Sequence, residues 1–113
     1  MNKITNISAE AFQIFTIEAG DETGVLNLRY HSVAQMWTID VTFRDVTITG
    51  KKLSLGVLHL ENQNWPFDFL VDDTSTQGID PFKNDDFQSG RIVLYQLTAD
   101  ELKIARGYDV EVL

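Results

Sequence analysis

Apolar and polar residues alternate in two runs across residues 25–43, separated by a short polar stretch. Leu26, Leu28 and Tyr30 alternate with Asn27 and Arg29. Trp37, Ile39, Val41 and Phe43 alternate with Thr38, Asp40 and Thr42. A period of two puts each apolar set on one face of a pleated strand, so the two runs predict a β-hairpin with a defined core side. Residues 11–17 predict an earlier strand. Its apolar positions change phase between Ile14 and Phe15, which predicts a β-bulge or a change of partner sheet. The two glycines and two acids of residues 19–24 form a turn.

Beyond the hairpin, Arg44 and Asp45 predict a tight turn leading into a strand over residues 46–49. Leu53, Leu55 and Val57 alternate again, which predicts a strand over residues 53–60 with a bulge or a close backbone approach at Gly56. Trp65-Pro66 starts another extended run, with Phe67, Phe69 and Val71 on one face. Residues 72–90 are then polar, a long connection of the kind that is functional or ordered by a partner. Residues 91–97 are strongly apolar and predict a strand. Thr98 and Glu101 match a capping box, with Leu102, Ile104 and Ala105 as the apolar stripe of a short helix near residues 99–106 and Gly107 as its stop. Tyr108, Val110 and Val112 predict a closing strand.

The expected fold is mainly β: a small antiparallel barrel or compact sandwich of six to eight strands with one short helix. Its predicted core is Phe12, Leu26, Leu28, Tyr30, Trp37, Ile39, Val41, Phe43, Leu53, Leu55, Phe69, Ile92, Leu94 and Val110. At 113 residues the chain is expected to be a single domain over 1–113, with residues 1–10 as a flexible or partner-contacting arm.

Composition narrows the function. The absence of cysteine removes disulfides, zinc–thiolate sites and thiol catalysis. A net charge of -8, with nine scattered Lys and Arg, argues against nucleic acid and against an anionic membrane surface. No apolar run is long enough to span a bilayer, and the first residues lack the apolar core of a signal peptide, so synthesis in a reducing cytoplasm is expected.

Candidate chemistry is sparse. His31 and His59 lack a nucleophile context, and no G-x-S-x-G or phosphate-binding glycine loop occurs, so both read as surface or interface histidines. The acids at 72–73, 80 and 85–86 lack the spacing of a calcium loop and read as solvated. Trp37 is in phase with the core. Trp65 stands at a loop edge where exposure is expected, which makes it a contact residue for a sugar or a protein. No enzyme activity and no cofactor are expected. The candidate protein-contact residues are Trp65, Asp72, Asp73, Asp80, Phe82, Asp85, Asp86 and Phe87.

The ordered series Leu26-Asn-Leu28-Arg-Tyr30, Trp37-Thr-Ile39-Asp40-Val41, Gly50, Leu53-Ser-Leu55-Gly56, Leu58 and Leu60, Leu70-Val-Asp72, Gly90 and Arg91-Ile-Val-Leu94-Tyr95 resembles the small baseplate plug proteins of contractile-tailed bacteriophages, the cyanophage type among them. The helix at 98–106 stands outside the pattern. The resemblance implies a β-rich, non-enzymatic virion component at the central axis of the tail. It also implies hub, spike and tail-tube partners and a symmetric homo-oligomer in the virion. The other reading left open by the residues is a small β-sandwich module that recognises a carbohydrate or protein receptor.

Overall fold

The computed structural model describes residues 1–60, 63 and 65–106. Its strands are β1 (Asn2–Lys3), β2 (Phe12–Ala19), β3 (Glu22–His31), β4 (Met36–Phe43), β5 (Val46–Lys52), β6 (Asp68–Asp73) and β7 (Ile92–Leu97), followed by helix α1 (Ala99–Arg106). They form two antiparallel sheets, one ordered β2-β3-β4-β5 and the other β1-β7-β6. The first is a plain meander. Arg44 and Asp45, at φ of 52° and 62°, make the two-residue turn between β4 and β5, the geometry that matches the twist of a tight hairpin.

The two sheets face each other as a sandwich and do not close into a barrel. Leu26, Leu28, Ile39, Val41 and Phe43 of the meander are fully buried with Phe67, Phe69, Val71, Ile92 and Leu94. Edge-to-face ring contacts join Phe43 to Phe67 and Phe67 to Phe69, the arrangement the ring quadrupoles favour. The central hairpin pairs as its alternation predicts, with Leu28 opposite Ile39 and Tyr30 opposite Trp37.

Several expectations are corrected. The β2–β3 register runs unbroken from Phe12 opposite Arg29 to Ala19 opposite Glu22, so no bulge lies at Ile14. The change of phase arises because β2 carries apolar residues on both faces. Phe15 and Ile17 turn toward the core, while Phe12 and Ile14 are 41% and 66% exposed. Phe12 is therefore not core; the Arg29 guanidinium covers its ring at 4.3 Å. The bulge occurs in β5 instead, opposite Asp40. There Gly50 adopts a φ of 69° and donates its N–H to Asp40 Oδ1 at 2.9 Å.

Residues 53–60 are not a strand. They cross from one sheet to the other, with Leu53 N–H on the Trp37 carbonyl and a single parallel bridge from Leu55 to Val71. Side chains replace the missing ladder. Asp80 Oδ1 accepts from Leu55 N–H and Asp68 Oδ1 from Leu60 N–H. His59 Nε2 accepts from Ser54 N–H, which leaves Nδ1 to donate to the Phe69 carbonyl. His59 is thus a buried structural residue rather than a surface one. Tyr30 and Leu55 are only half-buried.

The first residues do not hang free. Asn2 and Lys3 pair with Gln96 and Tyr95, and Ile4 N–H bonds the Leu94 carbonyl at 2.8 Å. Helix α1 has its capping box, with Glu101 Oε1 accepting from Thr98 N–H and Thr98 Oγ1 from Glu101 N–H. Leu102 packs on Leu97, Leu58 and Leu70. Ile104, expected in the same stripe, is 85% exposed, because so short a helix buries a single turn's contact. The predicted stop at Gly107, the closing strand and core residue Val110 lie outside the described residues.

Trp37 has no exposed surface and touches the Tyr30 and Phe87 rings. Trp37→Ala is expected to lower unfolding free energy by about 3–5 kcal/mol in denaturant melts, as large-to-small core changes do. A loss under about 1 kcal/mol would contradict this burial.

Candidate protein-contact loop

The connection from β6 to β7 is long and polar, so its backbone groups cannot all join a sheet and must find partners of their own. Arg91 and two aspartates supply them. The guanidinium grips Asp86 with two parallel bonds, Nε to Oδ1 at 2.9 Å and Nη2 to Oδ2 at 2.8 Å. Nη1 reaches Asp73 at 3.3 Å and the Ile79 carbonyl at 3.1 Å, and Nη2 also bonds the Asp80 carbonyl. Asp86 Oδ2 accepts from the N–H groups of Phe82 and Lys83, and Asp73 from those of Ser75 and Ile79. The loop therefore folds around a small polar centre of its own.

Two anchors hold this centre against the hairpin. Tyr30 Oη donates to the Phe82 carbonyl and Trp37 Nε1 to the Lys83 carbonyl, both at 2.9 Å. Phe87 sets its ring edge-on to Trp37 at 5.1 Å. The residues that define the core face thus also seat the loop.

Electrostatics follow from these contacts. Burial alone would raise the Asp86 carboxyl, but the Arg91 guanidinium and the backbone donors of Lys83 and Phe82 outweigh it and hold its pKa at about 2. The Ser75 hydroxyl and N–H groups, with Arg91 behind them, lower that of Asp73 against the opposing effect of burial. Arg91 is raised in turn, chiefly by its bonds to Asp86. Among the described residues no three His, Asp or Glu side chains are grouped to hold a metal ion.

The eight predicted contact residues separate into two sets. Trp65 is 5% exposed, against the expectation of an exposed platform, because it stacks on Phe67 and meets the edge of Phe43. Asp73, Asp86 and Phe87 are likewise turned inward within the chain. Phe82 is half-buried beneath the Arg91 guanidinium at 5.2 Å. Asp80 is partly exposed, with one oxygen on Leu55 N–H. Asp72 and Asp85 face outward. Ile79, an apolar residue of this polar loop, is exposed as well. Beside it a groove of about 560 Å³ is lined by Leu55, Leu70, Asp72, Thr76 and Tyr95 among others. In the sequence Arg91 stands as the first residue of a strand and of the Arg91–Tyr95 run. The signal that could have found it is an arginine closing a loop that holds five aspartates against a single lysine, Lys83.

Fold and loop define a compact β-sandwich in which Arg91, Asp73 and Asp86 tie the long loop together. The sequence model of the family described as cyanophage baseplate Pam3 plug gp18 matches residues 1–100. The chain belongs to this phage baseplate plug family, and is a structural component of the virion tail baseplate. The match ends within the first turn of α1. No individual curated protein matches the chain.

Asp86 has a folded-state pKa of about 2 against an ordinary 3.8, so its contribution to stability is complete above about pH 4 and is lost as pH falls through about 2. Wild-type unfolding free energy should include about 2 kcal/mol that disappears over this acid window. Asp86→Asn should lack that part of the pH profile. An unchanged acid slope in the variant would remove Asp86 from this role.

Proposed function

We propose that the chain is a non-enzymatic plug that assembles at the central axis of a contractile tail with hub, spike and tail-tube proteins. It works there in several symmetric copies. The observation that carries the reading is the family match over residues 1–100. The loop geometry supports it: Asp73, Asp86 and Phe87 spend their contacts within the chain and hold the loop in one shape, while Asp72, Asp85 and Ile79 are left exposed. Such a preformed surface docks with little ordering cost. The chain is made in the host cytoplasm and ends in the virion. The reading as a sugar-binding module loses its platform, because Trp65 is packed between Phe43 and Phe67.

A reconstruction of the assembled tail tests the axial position directly. Charge reversal of the loop surface tests the contact. Asp72→Lys with Asp85→Lys should change free-chain stability by less than about 0.5 kcal/mol per site, since both are exposed. The same change should reduce incorporation into tails, measured by quantitative mass spectrometry of purified particles. Wild-type incorporation would show that the partners sit elsewhere.

A further inference from the structure

A sheet edge is a row of unpaired N–H and C=O groups that will pair with another strand unless something guards it. In the three-stranded sheet one edge is the two-residue strand β1, too short to template a partner, and the other, β6, is occupied. On one side β1 and Ile4 cover β7. On the other, Gly56 N–H and His59 Nδ1 take the Val71 and Phe69 carbonyls of β6. In the four-stranded sheet, β5 is guarded by its bulge, by left-handed Gly50 and by exposed Lys51 and Lys52. These are the devices that keep natural edges from associating.

β2 has none of them. It contains no Pro, Lys or Arg, its register is unbroken, and it exposes Phe12 and Ile14. The Tyr30 N–H bond to the Ala11 carbonyl sets the phase of the ladder. Odd-numbered residues of β2 therefore bond to β3, while Phe12, Ile14 and Thr16 turn their backbone groups outward. Only at the far end is the row closed, where Gln96 Nε2 donates to the Glu18 carbonyl at 2.8 Å.

We propose that β2 is a self-pairing edge. Two copies of the chain join antiparallel through it, about a two-fold axis at Gln13, and merge their four-stranded sheets into one. Charge points to a second copy as the occupant. In a chain of net charge -8, residues 11–17 carry no ionisable side chain, so two acidic molecules can approach along this line. The register about Gln13 sets each Phe12 opposite an Ile14, an aromatic–β-branched pair of the kind that stabilises sheets. It also keeps Glu10 and Glu18 from facing each other. Head-to-tail pairing with β5 is opposed by the bulge and lysines there. The inference rests on the edge alone, so failure of the tail assignment leaves it standing.

Sedimentation of the full chain from micromolar to millimolar concentration should show a mass rising from 12.8 kDa toward twice that value. Ile14→Asp, which adds a carboxylate at the junction on an exposed position, should raise the dimer dissociation constant at least tenfold while circular dichroism stays unchanged. The chain has no cysteine of its own, so Gln13→Cys, at the axis, should form a disulfide dimer faster on oxidation than Val33→Cys, which is 99% exposed in the β3–β4 turn. A chain that stays monomeric at millimolar concentration would overturn the proposal. So would a dimer insensitive to Ile14→Asp, or equal cross-linking of the two cysteine variants.

Discussion

The pair of half-buried Arg91 with buried Asp86 is the interaction on which the arrangement of this sandwich depends. A long polar connection laid against an apolar core brings backbone groups that water cannot reach and no sheet accepts. Arg91 answers this by joining two carboxylates and two carbonyls at the point where β7 begins. Asp86 in turn holds the N–H groups of Phe82 and Lys83, which fixes the carbonyls that Tyr30 and Trp37 bind. The ion pair and the aromatic core are therefore one cooperative unit. A pair of this kind adds little net stability compared with apolar packing, but losing one partner leaves a charge stranded. What it supplies here is a single conformation for a segment whose sequence would otherwise permit many.

The central hairpin was legible because one physical rule decides it: a strand with one buried face must alternate. That rule failed where its premise failed. β2 is an edge strand with apolar side chains on both faces, so Phe12 and Ile14 mimicked a core pattern shifted by one residue. Leu53, Leu55 and Val57 alternate on a segment that crosses between sheets and is held by Asp80, Asp68 and His59 side chains. Local capping chemistry was readable at Thr98 and Glu101 because it needs only neighbours in sequence. Of the candidate site, the loop was recognisable by composition, but the inward direction of Asp73, Asp86 and Phe87 was not. It depends on Arg91, Trp37 and Tyr30, which come together only in three dimensions.

Membership of the baseplate plug family gives these features a common sense. A component built into a large assembly needs a fixed shape more than a reactive group. Charges in this chain are divided accordingly: some are spent within the chain, as Arg91 is on Asp86 and Asp73, and others are left outward where they can set which surface meets which.

The three-stranded sheet takes its first strand from one end of the chain and its last from the other, with Asn2 opposite Gln96. The meander between them joins neighbours in sequence and closes short loops. During synthesis the meander can therefore assemble as it emerges, whereas β1 has no partner until β7 has left the ribosome. Until then Ile4 and Ile7, which finally pack on the core, have no place to go. Completion of the sandwich thus waits on β7, however early the meander forms.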